Sequence, residues 1–253
     1  MKKTVFITGA TSGFGEACAY LYAEKNYNLI LNGRRVERLE KIKSKILSNN
    51  KNIDIILLPF DVQKKDEVEK SINTLQQQCK SVDVLVNNAG LAIGTTGIQD
   101  GLIEDWETMI DTNIKGVLYV TKFTLPLLLK SSCPHIVNVG SIAGKVVYKG
   151  GNVYCATKHA VDALSQAMRI DYLDLGIKVS QVLPGAAETE FSIVRYKGDE
   201  VQAANVYEGY KPLVAEDVAN IIVWVTELPQ HVNINELLVM PTAQAAPGIF
   251  KKN

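Results

Sequence analysis

Short apolar runs alternate with longer stretches of mixed apolar and polar residues along most of the chain. The runs predict seven strands, at Thr4–Thr8, Asn28–Asn32, Ile53–Pro59, Val82–Asn87, His135–Val139, Lys178–Leu183 and Glu236–Met240. Most are continuously apolar, which is typical of parallel strands covered by helices on both faces. The intervening stretches predict helices at Gly15–Lys25, Arg35–Leu47, Asp66–Cys79, Asp105–Leu129, Tyr154–Leu175 and Ala215–Thr226. This alternation predicts an α/β, Rossmann-like fold with one doubly wound parallel sheet of about seven strands.

We expect one domain spanning residues 1–253, because no Pro/Gly/Ser-rich linker divides the chain. Only the segment Glu188–Pro212 departs from the alternation. It is polar and carries three tyrosines, at positions 196, 207 and 210. The segment 188–212 is therefore predicted to be a flap over the carboxyl ends of the strands, where ligands of such sheets bind.

Composition narrows the class of protein. The 253 residues include 27 Lys+Arg and 27 Asp+Glu, so the formal net charge is zero, and no basic patch predicts nucleic-acid binding. No apolar run reaches the ~18–20 residues of a membrane span. The four cysteines form no CxxC pair and the three histidines form no cluster, so we expect neither a disulfide framework nor a metal site. A reduced, cytoplasmic setting is the default expectation.

A glycine-rich loop joins the first predicted strand to the first predicted helix. Glycines spaced by four and then two residues let the backbone turn tightly and approach a pyrophosphate at the helix N-terminus. A plain turn has the same composition, but the position directly after a first strand favours dinucleotide binding. The residues expected to bind the cofactor here are Gly9, Thr11, Ser12, Gly13, Phe14 and Gly15.

The end of the second predicted strand indicates which dinucleotide is bound. An NAD site places Asp or Glu here to accept from the ribose 2′-hydroxyl, whereas this chain has Arg34 and Arg35 and no acidic residue between Lys25 and Glu37. Two guanidinium groups suit a 2′-phosphate. The alternative is a solvated start of a helix, although the helix dipole disfavours cations there. The pair favours NADP over NAD.

Two further loops are predicted to surround the adenosine. Asp61 and Val62 follow the third strand, and Asp61 either accepts from the adenine amine, or caps the next helix, or does both. Asn88, Ala89 and Gly90 follow the fourth strand, where small residues would admit the ribose. Taken alone, this second loop would more often be a plain strand-to-loop turn.

Three residues that suit alcohol–carbonyl chemistry lie at the fifth predicted strand and the helix after it. Ser141 follows the strand, and Tyr154 and Lys158 stand at i and i+4 on one helical face. A phenol with a pKa near 10 needs a neighbouring ammonium, and an oxidised nicotinamide, to favour the phenolate and lower that pKa. The serine hydroxyl can hold a substrate oxygen by a hydrogen bond. On its own, Tyr-x-x-x-Lys is common and usually structural.

In this order, the glycine loop, Asn87-Asn88-Ala89-Gly90 and the Ser–Tyr–Lys set resemble the short-chain dehydrogenase/reductase family over essentially the whole chain. The resemblance implies that Tyr154 is the general acid/base, Lys158 its activator and a ribose anchor, and Ser141 the holder of the substrate oxygen. It also implies that Asn113 takes part in a proton relay through water. Near the nicotinamide, it implies contacts from Pro184, Gly185 and Thr189.

Longer segments are similar to the NADP-dependent 3-hydroxy acid dehydrogenases of that family: 90–94, 104–109, 150–154, 190–199 and 231–235. This similarity implies a small 3-hydroxy acid substrate of the serine, allo-threonine or 3-hydroxypropanoate type, or its semialdehyde, and a homotetramer. A carboxylate substrate needs a cationic anchor beside Ser141 and Tyr154, and we expect Arg195 of the flap to supply it. A surface arginine would look the same. Two other readings stay open: a ketone/aldehyde reductase without a carboxylate requirement, and a non-catalytic NADP-sensing module.

Overall fold

The seven predicted strands lie side by side in one parallel sheet. The computed structural model describes residues 2–252. The strands are β1 (Thr4–Ile7), β2 (Asn28–Asn32), β3 (Ile55–Leu58), β4 (Val84–Asn87), β5 (His135–Val139), β6 (Lys178–Pro184) and β7 (Glu236–Val239). Their order is β3-β2-β1-β4-β5-β6-β7, the doubly wound arrangement that the sequence predicts. A hairpin of β8 (Gln244–Ala246) and β9 (Ile249–Phe250), which was not predicted, follows the sheet.

Helices occupy all of the predicted stretches, with two differences in extent, and two short helices that were not predicted lie in the flap. The helices are α1 (Gly13–Glu24), α2 (Val36–Asn49), α3 (Lys65–Gln78), α4 (Ile103–Ile110), α5 (Gly116–Leu128), α6 (Asn152–Asp171), α7 (Glu190–Arg195), α8 (Glu200–Asn205) and α9 (Ala215–Glu227). The single predicted helix Asp105–Leu129 is wrong, because a π-helical turn over Asp111–Lys115 separates α4 from α5. The predicted end of the next helix at Leu175 is also wrong, since α6 ends at Asp171.

Both faces of the sheet are covered, which explains the continuously apolar strands. Along β1, Val5 and Ile7 pack into the core on the side of α1, α2 and α9, whereas Phe6 packs on the side of α3 and α5. All three side chains are fully buried. Successive side chains of a strand point to opposite faces, so a strand buried on both faces favours apolar residues at most of its positions.

The strand order places the ligand site. The chain runs outward from β1 to β3 and then returns to place β4 on the other side of β1. Loops after β1 and β4 therefore leave in opposite directions and open a crevice at the carboxyl ends of the strands. The predicted flap folds over this edge as α7 and α8. A bridge between Ala187 and Leu213 closes its base, and Glu188 N–H donates to the Leu213 carbonyl (2.8 Å).

Candidate active site

A cavity of about 510 Å³ lies in this crevice and brings most of the predicted site residues together. Its walls are the glycine-rich loop after β1, the end of β2, the loops after β3, β4 and β5, the start of α6, and the flap. The predicted residues that line it are Gly9, Thr11, Ser12, Gly13, Phe14, Arg34, Arg35, Asp61, Val62, Asn88, Ala89, Gly90, Ser141, Tyr154, Lys158, Pro184, Gly185, Thr189 and Arg195. Gly15 and Asn113 lie behind this surface and support it.

The glycine-rich loop requires glycine for backbone reasons. Gly9 and Gly13 have φ values of +65° and +55°, a region that side chains disfavour. A side chain at Gly15 would collide with the Gly9 carbonyl, because the start of α1 packs directly against the turn. Within the described residues, no side chain caps the N-terminus of α1 at Ser12. The loop therefore presents free backbone N–H groups to the cavity, as an anion site requires.

The two arginines lie beside this loop. Arg35 donates to the Thr11 hydroxyl (2.9 Å) and the Ser12 hydroxyl (3.0 Å) through the same nitrogen. It is the residue before α2, so neither arginine stands inside the first helical turn, where the helix dipole disfavours a cation. Arg34 is more exposed, and its guanidinium lies 3.6 Å from the Asp61 carboxylate.

Asp61 does not cap the next helix, so the helix-cap role that the sequence left open for it is wrong. Helix α3 begins after Lys64, three residues further on, and no side chain caps it in the part of the chain that the structure describes. The Asp61 carboxylate instead accepts from the Gln63 N–H (3.1 Å) and stays in the cavity wall beside Arg34.

The loop after β4 is tied to the loop after β1. The Asn88 amide donates to the carbonyls of Thr8 (2.8 Å) and Gly9 (3.2 Å), and the Thr8 hydroxyl accepts from the N–H groups of Asn88 and Ala89. At Gly90, a Cβ would lie 3.2 Å from Asn113 Oδ1 and 3.5 Å from Lys158 Nζ, so only a small residue fits between the loop and the chemical site.

Asn113 lies in the π-helical turn, and this turn is what directs it inward. Its side-chain oxygen accepts from the Leu91 N–H (2.9 Å), and its amide donates to the Leu91 carbonyl (2.8 Å) and the Thr157 hydroxyl (3.0 Å). The side chain is 1% exposed. Asn113 thus joins the loop after β4 to α6, the helix that carries Tyr154 and Lys158.

Tyr154 and Lys158 lie one turn apart on α6 and are both buried. Lys158 donates to the Val139 carbonyl (2.9 Å), and its Nζ is 5.9 Å from the centre of the Tyr154 ring. Burial lowers the pKa of Lys158 to about 8. The Ser141 hydroxyl accepts from the Ala143 N–H (3.1 Å), which sets its position after β5.

The sequence-based expectation of a lowered tyrosine pKa is not met by the protein alone. Burial, reinforced by the nearby Tyr148, raises the pKa of Tyr154 well above its ordinary value, although Ser141 and Arg195 act to lower it. The sequence contained no sign that the phenol would be this deeply enclosed. Positive charge from a bound oxidised nicotinamide would be needed to favour the phenolate.

Arg195 reaches from the end of α7 into the cavity, where its guanidinium lies 5.9 Å from the Tyr154 ring centre. One terminal nitrogen donates to the Tyr148 hydroxyl (2.8 Å) and the other is 3.3 Å from the Gly150 carbonyl. Its Nε is buried and has no hydrogen-bond partner among residues 2–252. Arg195 is thus part-buried beside Tyr154, and of its three nitrogens only Nε has no acceptor among the described residues.

At the other end of the flap, Thr189 packs against the glycine-rich loop, 3.4 Å from where a Cβ of Gly13 would stand. The Pro184 carbonyl is 3.5 Å from the Ser141 hydroxyl. Gly185 is crowded by Gln244, whose side-chain oxygen accepts from the Ala186 N–H (2.7 Å). These contacts bring the predicted nicotinamide-side residues to the middle of the cavity.

Sequence reasoning missed several cavity residues. Tyr148 and Phe191 flank Tyr154, with the Phe191 ring 5.5 Å from the Tyr154 ring. Tyr207 of the flap donates to the carbonyl of Ala187, the residue just before the flap (2.7 Å). The β8–β9 hairpin also contributes to the wall. The tyrosines of the flap were a signal for some of these contacts, whereas Gln244 gave none, because its role depends on a long-range contact.

No group of His, Cys, Asp and Glu side chains suited to a metal ion is found among the described residues. Likewise, among the helices of residues 2–252, none is both long and apolar enough to cross a membrane.

Comparisons with known proteins match this geometry. The family model for short chain dehydrogenase matches residues 3–199. The chain is 42% identical to the NADP-dependent 3-hydroxy acid dehydrogenase YdfG of Salmonella typhi over 246 residues, which cover 97% of both chains. It is 41% identical to the serine 3-dehydrogenase of Agrobacterium fabrum over 248 residues, 98% of this chain and 97% of that one.

Among solved structures, the fold is similar to the closed form of a serine dehydrogenase complexed with NADP⁺. The TM-score is 0.90 at 41% identity, and the match covers 99% of each chain. A serine dehydrogenase from Escherichia coli gives a TM-score of 0.80 at 37% identity, covering 96% of this chain and 99% of that one. The family match, the near full-length relatives and the shared fold agree with the glycine-rich loop and the Ser–Tyr–Lys set, and the chain belongs to the short chain dehydrogenase family.

Proposed function

We propose that this protein is an NADP(H)-dependent oxidoreductase that moves a hydride between the nicotinamide and a small 3-hydroxy acid, or its semialdehyde in reverse. One observation carries the proposal: a single cavity contains the Ser141, Tyr154 and Lys158 side chains at one end and the Arg34–Arg35 pair at the other. The names of the relatives, which are NADP-dependent 3-hydroxy acid and serine dehydrogenases, support the same chemistry.

The cavity residues fit the dinucleotide. Free N–H groups at the start of α1 and the positive-φ glycines suit a pyrophosphate. Arg35 donates to the hydroxyls of Thr11 and Ser12, which hold its guanidinium near the end of β2. A 2′-phosphate on the adenosine ribose would bind at this position. When bound, the nicotinamide supplies the hydride donor or acceptor.

The protein's own side chains transfer the proton and hydrogen-bond the substrate oxygen. In the reducing direction the Tyr154 hydroxyl donates a proton to the carbonyl oxygen, and in the oxidising direction the phenolate accepts it from the alcohol. The Ser141 hydroxyl donates to that same oxygen and holds it in place. Lys158 in its charged form stabilises the phenolate and serves as a ribose anchor. Asn113 holds the neighbouring loop and α6 together and takes part in the proton relay.

We assign the substrate carboxylate to Arg195. Its guanidinium lies in the cavity wall, 5.9 Å from the Tyr154 ring centre, and carries a positive charge to which a carboxylate can bind. A charge-assisted hydrogen bond of this kind is worth about 2 kcal/mol, or ~30-fold in KM. Acids bearing a 3-hydroxyl would thus be oriented with the carbinol at Tyr154.

The test is a set of initial rates with NADP⁺ and NAD⁺ on L-serine, L-allo-threonine, 3-hydroxypropanoate and a neutral secondary alcohol. We expect turnover of the acids with NADP⁺, little with the alcohol, and a raised KM for the acids alone in Arg195→Ala. An unchanged preference for acids over alcohols in that variant would contradict the carboxylate assignment, and preference for the neutral alcohol would favour a general ketone/aldehyde reductase.

Tyr154→Phe separates an enzyme from a cofactor sensor. We expect this variant to lose turnover while NADPH binding, followed by nucleotide fluorescence, stays within about twofold, because the phenol acts on the proton rather than on the pyrophosphate. Wild-type protein that binds NADPH and turns over none of the substrates would instead favour the sensing module.

A homotetramer and a cytoplasmic location complete the proposal. Two groups of exposed apolar side chains support the assembly: one around the end of α6 and one on α9 and β7. The four cysteines are all free thiols, which is consistent with a reducing compartment.

A further inference from the structure

The flap is bound to the adenosine end of the cavity by one carboxylate. Glu190, the first residue of α7, accepts from Arg35 through one oxygen (2.9 Å) and from Arg38 through the other (2.6 Å). These two ion pairs connect the flap to the start of α2, and the three side chains remain about 40% exposed. Arg38 lies one helical turn beyond Arg35 and was not among the predicted cofactor residues.

The position of this carboxylate coincides with the proposed phosphate site. Arg35 contacts Glu190 through one terminal nitrogen and the hydroxyls of Thr11 and Ser12 through the other. A 2′-phosphate bound by Arg35 would therefore place its negative charge beside the Glu190 carboxylate. Two anions sharing one pair of guanidinium groups repel each other, so the two cannot both be bound at full strength.

We propose that Glu190 is a specificity-determining residue: it neutralises the Arg35–Arg38 pair until a 2′-phosphate displaces it, and this exchange releases the flap from the adenosine end. The inference rests on the proposed NADP site. Partial burial opposes ionisation of Glu190, but hydrogen bonds from Arg38 and Arg35 prevail and keep its pKa below the ordinary value, so the resident group is an anion at neutral pH.

Displacement of the Glu190 carboxylate by a 2′-phosphate affects nucleotides with and without that phosphate differently. A nucleotide without the 2′-phosphate leaves both ion pairs in place and gains nothing from the arginines. A nucleotide with the phosphate must first break them, so part of its binding free energy is used to move Glu190. Removing the carboxylate charge should thus strengthen binding of the phosphate-bearing nucleotide alone.

The experiment measures binding of adenosine 2′,5′-diphosphate and adenosine 5′-diphosphate by calorimetry to the whole chain and to Glu190→Gln. We expect the variant to bind the 2′,5′-diphosphate about fivefold more tightly and the 5′-diphosphate within twofold of wild type. The 2′-phosphate then no longer has to break the two half-exposed ion pairs of Glu190, and such pairs are individually weak. The matched control is Glu188→Gln, which removes the same charge from an exposed flap residue for which the structure shows no arginine contact.

A second measurement does not depend on affinity. Trypsin can cut the flap after Arg195 and Lys197, and we expect the 2′,5′-diphosphate, but not the 5′-diphosphate, to speed this cleavage in wild type. In Glu190→Gln the cleavage should already be fast without ligand. A variant that has merely lost folded structure would instead be cut throughout the chain and would show a lowered melting temperature.

The outcomes separate the two proposals. Wild type with no preference for the 2′,5′-diphosphate would overturn the 2′-phosphate site and this inference together. A wild-type preference with weaker binding of both nucleotides by Glu190→Gln would overturn the inference alone, because Glu190 would then hold the flap over bound nucleotide. Unchanged affinities in the variant would do the same.

Discussion

At the residue scale, Lys158 shows a conflict between stability and function. Its side chain is 6% exposed and its Nζ donates to the Val139 carbonyl. Burial lowers its pKa to about 8, so holding it charged at neutral pH costs the folded state free energy. The same charge is what the Tyr154 phenolate needs in the proposed reaction. The chain therefore keeps a destabilising group where the chemistry uses it.

We expect Lys158→Met to be more stable than wild type near pH 7, by on the order of 3 kcal/mol at most, and inactive. Below about pH 8 both the folded and the unfolded wild type are charged at this lysine, so the burial penalty is fully present. Between about pH 8 and the ordinary lysine pKa of 10.5, the unfolded chain binds a proton that the folded chain does not. Wild-type stability therefore rises with pH in that window, and the difference between the proteins shrinks.

Melting temperatures of both proteins at about pH 7 and pH 10 check this. If the difference in melting temperature between variant and wild type is the same at both pH values, burial of the charged Lys158 does not destabilise the folded protein. Lys149→Met is the control, since it makes the same substitution at an exposed lysine.

Residue-level prediction from sequence placed Ser141, Tyr154 and Lys158 in one site, and the structure brings all three to one cavity. The prediction depended on their order with the glycine-rich loop and on the family resemblance, because Tyr-x-x-x-Lys alone is usually structural. Residue-level prediction failed for Gln244 and Tyr148, which reach the cavity only through tertiary contacts. It also failed for the Tyr154 pKa, because burial depends on the side chains that enclose the phenol rather than on its sequence neighbours.

At the scale of elements, the π-helical turn at Asp111–Lys115 positions Asn113. The hydrogen bonds of a π-turn span one residue more than those of an α-helix, and such a turn often arises as a single-residue insertion at a functional site. The insertion lets α4 and α5 keep their packed faces while the extra residue turns Asn113 toward Leu91 and Thr157. Sequence analysis missed it, because α4 has only eight residues before the turn, too few to show that the apolar pattern shifts after it.

Deleting Lys115 should convert the turn to α-helix and move Asn113 away from the active site. Lys115 is exposed and contributes an i, i+4 ion pair with Asp111. We expect the deletion to lower kcat at least tenfold and to reduce the free energy of unfolding by about 1–3 kcal/mol, the cost of unpaired buried groups at Leu91. Lys115→Ala is the matched control, because it removes the ion pair and keeps the turn. Equal kcat in the deletion and in wild type would show that the turn does not position Asn113.

Other elements differed in how well the sequence revealed them. The strands were located within one or two residues because most positions of a doubly covered strand are apolar. The helices α7 and α8 of the flap have six residues each, too few to show a helical period. The β8–β9 hairpin has strands of only three and two residues, below the length at which alternation can be recognised.

At the scale of the whole molecule, several large apolar side chains are left exposed by the single chain, and those at two places bear on the proposed tetramer. Near the end of α6, Ile170 and Leu173 are 76% and 75% exposed. On α9 and β7, Trp224 and Leu238 are each 51% exposed. Strand β7 is also an edge of the sheet, so its outer backbone groups face away from the other strands. Two separate surfaces of this kind suit a tetramer with two different twofold contacts.

We expect light scattering coupled to size exclusion to give a mass near four times the chain mass of 27.8 kDa. In Trp224→Glu the mass should fall to that of a dimer, because a carboxylate would be buried without a partner in the α9–β7 contact while the α6 contact remains. Lys41→Glu is the control, since Lys41 is exposed on α2, away from both surfaces. A monomeric wild type would contradict the tetramer, whereas a tetrameric Trp224→Glu would show that α9 and β7 lie outside the contacts that hold it together.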